Sequence, residues 1–114
     1  MKSDTDKNEI LAHAKIGPES PWFSGHFPGD PILPGIAQLG MVFAAIREAV
    51  DKDLILSAVR RVRFRQIIRP DDQMEISISP DKKDNNDYMF RINVKNGIAC
   101  SGIMTVKKMK TKEI

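Results

Sequence analysis

The sequence predicts an α+β fold in which one antiparallel sheet wraps around a single buried central helix. Three features of the 114 residues lead to it. The stretch from Pro34 or Gly35 to about Val50 is apolar on every side of a helix, with Gln38 the one polar side chain before Arg47. A helix of that kind is enclosed rather than laid on a surface. Nearly everything after it alternates apolar and polar residues with the period of two that marks half-buried strands. A lone helix buried all round is accommodated by a single sheet only if the sheet curls about it, with help from a partner.

Each element follows from its own pattern. Residues 1–8 form a polar leader, and Ile10, Ala12, Ala14 and Ile16 alternate with Leu11, His13 and Lys15 as a first strand. Residues 17–35 hold five of the seven prolines and four of the seven glycines. An irregular segment that long is uncommon in a compact domain unless it has a function. After the helix, Leu54 to Ile68 is extended, with Val62, Phe64 and Ile68 on one face and Arg61, Arg63, Arg65 and Arg69 on the other. Arg69-Pro70-Asp71-Asp72 makes a turn. Met74, Ile76 and Ile78 form the next apolar face, and a polar loop spans residues 80–87. Tyr88, Phe90, Ile92 and Val94 follow. Asn96-Gly97 is a hairpin signal because both residues tolerate positive φ, and Ile98, Cys100, Met104 and Val106 continue beyond it. The expected organisation is a single domain over residues 9–108, with flexible tails at 1–8 and 109–114.

Composition narrows the class. At this length one domain fits and two do not. Hydrophobic residues make up 41% and charged residues 29%, which excludes wholesale disorder. The single cysteine, Cys100, excludes an internal disulfide framework and suits a reducing compartment. There is no spanning-length apolar run and no hydrophobic core to the N-terminus, so a cytoplasmic protein without a membrane segment is expected. The net charge of +3 is mild, but Arg60, Arg61, Arg63, Arg65 and Arg69 cluster, as do Lys107, Lys108, Lys110 and Lys112. Such clusters suit an acidic partner or a solvated face equally. With aromatic content of 6% and Phe64 on the apolar side, no stacking platform accompanies the arginines, and a nucleic-acid partner is not expected. Two histidines without a supporting cysteine or carboxylate cluster give no reason to expect a metal, and no cofactor is expected.

The chemistry concentrates in Gly25-His26-Phe27-Pro28-Gly29-Asp30-Pro31-Ile32-Leu33-Pro34-Gly35. Three prolines and three glycines give a stiff, sharply turned path that would hold one imidazole in a defined direction. Histidine suits proton transfer near neutral pH. His26 is therefore the candidate catalytic residue, favoured here over a histidine that merely bonds within a loop, whereas His13 lacks such a context. Gly35 opens the helix, where backbone N–H groups are free and the dipole is positive, so a carbonyl oxygen resting there would be polarised. Gln38 is the second candidate for substrate binding, holding a water or that carbonyl. Alternatively it satisfies a backbone group at a dimer interface.

This segment resembles the signature of the beta-hydroxyacyl-[acyl carrier protein] dehydratase family: a histidine in His-Phe-Pro-Gly, then Pro-x-x-Pro-Gly opening the central helix. Val62-Arg63-Phe64-Arg65 and Arg69-Pro70-Asp71-Asp72-Gln73 resemble the family's later strand and turn. The resemblance implies the hotdog fold, an α-proton removed by His26, a carbonyl oxygen bound by the Gly35 amide, and an acyl chain in a tunnel at a dimer interface. It also implies a helix carboxylate fourteen residues after the histidine, and there the chain departs: that position is Gly40. The first carboxylate on the helix is Glu48, about 12 Å further along the axis.

Three functions remain open at this point. The first is a (3R)-hydroxyacyl-thioester dehydratase of fatty-acid-type metabolism, with water or Gln38 covering part of the missing acid's role. The second is a thioesterase in which His26 activates water. The third is a non-catalytic acyl-thioester-binding subunit whose partner supplies the carboxylate. The expected partners are an acyl carrier protein or coenzyme A thioester and a second copy of the chain, in a homodimer or higher homo-oligomer.

Overall fold

The computed structural model describes residues 9–23, 31–84 and 86–109. Five strands form one sheet in the order β1-β3-β4-β5-β2, with every neighbouring pair antiparallel. They are β1 (Ile10–Ala14), β2 (Leu54–Phe64), β3 (Met74–Pro80), β4 (Asp87–Val94) and β5 (Gly97–Lys108), with the helix α1 (Gly35–Ala49) between β1 and β2. The four strands after the helix are not a simple meander. β2 pairs with β5 at one edge, and the chain then crosses to β3, beside β1, before β4 and β5 fill the middle.

The period-two reading assigns these faces correctly except at Ile98, which pairs with Asn93 on the far side of the extra residue Ala99 and so lies on the face opposite Cys100. Met74, Ile76 and Ile78 of β3, Tyr88, Phe90 and Ile92 of β4, and Cys100, Met104 and Val106 of β5 are all buried in one core with Ala37, Val42 and Ile46 of the helix. The opposite face carries Glu75, Ser77 and Ser79, then Met89, Arg91 and Asn93, then Ser101, Ile103 and Thr105, as the alternation of side chains along a strand requires.

Two local expectations are corrected. The strand after the helix stops at Phe64, not Ile68, because the N–H groups of Arg65 and Gln66 both turn to the Ala99 carbonyl, at 2.8 and 3.4 Å, and leave the ladder. Within the strand the register shifts between Arg60 and Arg63, where Arg61 takes a φ of 55°. The hairpin turns on Lys95 and Asn96, with Val94 paired to Gly97, and the positive φ falls on Gly97 at 130°. Ala99 is the extra residue of a bulge just beyond, since Ile98 pairs with Asn93 and Cys100 with Ile92. Its carbonyl accepts from the Arg65 N–H at 2.8 Å, which ties the end of β2 to the hairpin. The Arg69–Asp72 turn forms as expected, with the Asp72 carboxylate accepting from the Arg69 N–H at 2.8 Å.

The helix itself differs in one respect. Its own sheet covers one side: Ala37, Gln38, Val42 and Ile46 are buried, whereas Ile36 is 72% exposed and Gly40 and Ala44 are also exposed. Among the described residues the sheet covers one side of the helix, and Ile36 on the other side stays exposed. Of the expected tails, residues 1–8 and 110–114 lie outside the described residues.

Candidate active site

The helix starts where the proline-glycine segment ends. Pro34, with φ −64° and ψ 153°, is the extended residue just ahead of it, and its carbonyl accepts from the N–H groups of Ala37 and Gln38 at 3.1 and 3.2 Å. The N–H groups of the first helical turn have no carbonyl one turn earlier to bond, so the Gly35 end presents donors and positive potential.

Leu33 seats this start from both of its backbone groups. Its N–H donates to the Ile68 carbonyl at 2.7 Å, and its carbonyl accepts from the Gln38 side-chain amide at 3.1 Å. Leu33 and Ile68 are themselves buried, so the extended stretch before the helix is anchored in the core. Gln38, 4% exposed, is thus first a brace for the segment that leads into Gly35. Its amide oxygen Oε1 is buried with no hydrogen-bond partner among the described residues. A buried acceptor left unmatched costs about 1–3 kcal/mol and calls for an explanation. A backbone group is indeed bonded by Gln38, though within the chain rather than at a dimer interface. Oε1 can accept from a hydroxyl or a water, and the second N–H of the side-chain amide can donate to a carbonyl oxygen.

Gly35 has a structural reason to lack a side chain. The Phe64 ring, on the last residue of β2, lies where a Cβ would be, with Cζ at 2.7 Å from it. Phe64 pairs with Cys100 and so lies on the core side of β2, yet it is 53% exposed because it sits at the open edge of the sheet. Its contact with Gly35 was not foreseen from sequence. Alternation placed Phe64 on the apolar face, but nothing in a linear pattern says that the end of an edge strand meets the start of a helix nearly thirty residues earlier.

Gly40, where the resemblance puts a carboxylate, lies on the uncovered side of the helix, and a Cβ there would meet nothing within 4 Å. Residues two apart are turned about 200° from each other on a helix, so Gln38 and Gly40 face opposite ways. Gln38 therefore does not stand in for the missing acid. Glu48 is exposed near the far end of the helix, about 20 Å along the axis from Gly35. His26 lies outside the described residues. His13 is on the outer face of β1, with Nε2 3.6 Å from Glu75 Oε2 in an exposed pair. Cys100 is buried, and burial pushes its thiol up to about 11, so it is a core residue rather than a nucleophile.

A wide cleft of about 1050 Å³ and mixed polarity lies between the β3 start and the β4–β5 hairpin, lined by His13, Arg65, Asp71, Glu75 and Lys95 among others. It includes neither Gly35 nor Gln38 and mixes charges of both signs, so the helix start remains the better candidate. Among the described residues no three histidine, cysteine or acidic side chains come together as a metal site, and no helix is long and apolar enough to cross a membrane.

Relatives fit this geometry. Residues 2–103 match the ApeI-like family, described as ApeI dehydratase. The 3-hydroxyacyl-[acyl-carrier-protein] dehydratase FabZ of Rickettsia massiliae is 30% identical over 102 residues, covering 82% of this chain and 70% of the relative. That of Protochlamydia amoebophila is 34% identical over 82 residues, 67% of this chain and 53% of the relative. Among solved structures, the dehydratase heterocomplex ApeI:P from Xenorhabdus doucetiae superposes with a TM-score of 0.81 at 24% identity, covering 93% of each chain. The R-hydratase PhaJ1 from Pseudomonas aeruginosa gives 0.67 at 12% identity, over 93% of this chain and 86% of that one. The hotdog arrangement expected from the alternating pattern is thus the fold of this chain. With a five-stranded sheet packed against α1, Gly35 at the helix start and a match across nearly the whole sequence, the chain belongs to the ApeI-like dehydratase family and is a dehydratase-like protein of the hydroxyacyl-[acyl carrier protein] type.

Proposed function

We propose that the chain serves the dehydration of a 3-hydroxyacyl thioester carried on acyl carrier protein or coenzyme A, in fatty-acid-type metabolism. His26 takes the proton from the carbon next to the thioester, the C–O bond of the 3-hydroxyl breaks, and the products are the 2-enoyl thioester and water. The Gly35 N–H bears the developing charge on the carbonyl oxygen. What supports this is the helix start: a glycine whose neighbourhood is set by Leu33, Gln38 and Phe64, directly after the segment that carries the histidine. Gln38 contributes the brace on Leu33, and its Oε1 offers an acceptor to a hydroxyl or a water.

The departing hydroxyl needs a proton, and a positioned acid contributes typically about 10²–10⁴-fold. With Gly40 on the uncovered side of the helix, a homodimer of this chain brings no helix carboxylate to the site and works slowly. A second reading follows from the same observation. The open space at Gly40 suits a non-identical hotdog subunit that lends its own acid, which makes this chain the histidine-bearing half of a heteromeric enzyme. Thioester hydrolysis by His26 and water is the third reading, and no specific feature favours it.

Purified protein given 3-hydroxyacyl and enoyl thioesters, with enoyl absorbance and free thiol followed together, separates these. Dehydration changes absorbance without releasing thiol. Thiol release at a comparable rate would replace the proposal by the hydrolase reading, and binding without either change would leave the chain as the partner-dependent subunit.

A further inference from the structure

We propose that the outer face of the sheet is a docking surface for an acidic amphipathic helix of a partner protein, independently of the site at Gly35. The strand register builds it. Arg63 of β2 pairs with Ser101 of β5, Ser101 with Arg91 of β4, and Arg91 with Ser77 of β3, so two arginines flank a serine across adjacent strands. The next row pairs Ile103 with Met89 and Met89 with Ser79. A shallow groove of about 350 Å³ follows, mostly apolar at its floor through Met89 and Ile103, with Arg61 and Arg91 at its rim.

Two observations separate this patch from an ordinary solvated strand face. The bulge in β2 puts Arg61 at φ 55°, the left-handed region that a side chain disfavours, and the residue so placed lines the groove. Bulges re-aim side chains, and strain held at one position is a pointer to function. The second observation is charge balance. Arg60 is bonded to the buried Asp87, whose other oxygen accepts from Thr105 at 2.6 Å, so that carboxylate is used up. Among the described residues Arg61, Arg63 and Arg91 have no carboxylate partner.

The spacing selects the occupant. Arg63 and Arg91 sit two strand spacings apart, about 10 Å. Carboxylates seven residues apart on a helix are separated by about 10.5 Å. A helix lying across the strands would meet one arginine with each, and an apolar side chain midway between them would drop over Ser101 toward Met89 and Ile103. A second copy presenting the same face would oppose arginines with arginines. Nucleic acid would find a mostly apolar groove whose one ring, Phe90, is 2% exposed and so offers no face to stack on.

The test uses a labelled helical peptide with glutamates seven residues apart and a leucine midway, a scrambled peptide of identical composition, anionic phosphatidylglycerol vesicles and duplex DNA. Each is titrated with the whole chain at about 0.05 and 0.3 M salt, since screening strengthens across that range. The patterned peptide is expected to bind at least about tenfold tighter than the scrambled one, and Arg63→Glu with Arg91→Glu is expected to abolish that preference. The same two-charge reversal at the exposed Lys15 and Lys52 is expected to leave it intact. Arg61→Gly, which relieves the backbone, is expected to raise the melting temperature while weakening peptide binding. Equal binding of patterned and scrambled peptides, tighter binding to vesicles or DNA, or loss of binding with the Lys15 and Lys52 reversal would each overturn the docking assignment.

Discussion

The two sides of α1 are built from similar residues and behave differently. Toward the sheet, Val42 and Ile46 are fully buried and Gln38 is braced against Leu33. Away from it, Ile36, Gly40 and Ala44 line up one turn apart and are exposed among the described residues. Hydrophobicity alone does not separate the two sides, since Ile36 and Ile46 are the same residue type. What separates them is which side the single sheet reaches, and so which side is left for something else. The candidate chemistry straddles that boundary: Gly35 and Gln38 belong to the supported side, and the place of the absent acid belongs to the open one.

Substitutions on the two sides break or sharpen this contrast. Ile46→Ala, on the sheet side, is expected to cost about 2–5 kcal/mol by denaturant unfolding, the range for a truncated buried isoleucine. A loss below 1 kcal/mol would mean the sheet does not enclose that side. Gly35→Ala is expected to cost about 1–3 kcal/mol as an overpacking change, because its methyl would need the place of the Phe64 ring. Gly35→Ala with Phe64→Leu should recover much of that loss, and no recovery would separate the two residues. Gly40→Ala, by contrast, is expected to gain about 0.5–1 kcal/mol, since a methyl there meets open space and helix propensity improves.

The smallest effect is expected at Ile36. Ile36→Ser should fall within about 0.5 kcal/mol for a chain on its own. Should the effect grow with protein concentration, it would show that a second chain covers this side, because assembly links stability to concentration. Near neutral pH, Cys100 should resist thiol reagents in the folded protein. Its folded thiol holds its proton to about 11 against the ordinary 9.0, so the folded state binds more protons between those values. Stability should therefore decline as pH rises through that window, and Cys100→Ala should remove that part of the slope.

How far the sequence carries the reader depends on whether a feature is local. The strand faces were legible because alternation is a property of consecutive residues, and Met74 to Ile78 or Tyr88 to Ile92 state it without tertiary help. The helix was legible in extent, from Gly35, for the same reason. Its one-sided covering was not, because which side the sheet reaches is a tertiary property that no run of consecutive residues states. The hairpin shows a smaller version of this limit. Asn96-Gly97 announced a turn, but the bulge at Ala99 decides which pair closes it. At the candidate site, Gly35 and Gln38 were legible from the motif and from one polar residue in an apolar run. The Phe64 ring over Gly35 and the Leu33 brace were not, since both are contacts between parts of the chain that no local pattern connects.

The account depends on a histidine acting at a carbonyl held by the amino end of α1, with the acid side of the reaction left empty at Gly40. The most direct measurement is the rate of enoyl formation from a 3-hydroxyacyl thioester by three proteins: the unaltered chain, His26→Ala and Gly40→Glu. The account predicts slow turnover in the first, none in the second, and faster turnover in the third. Equal rates with and without the His26 imidazole would contradict it.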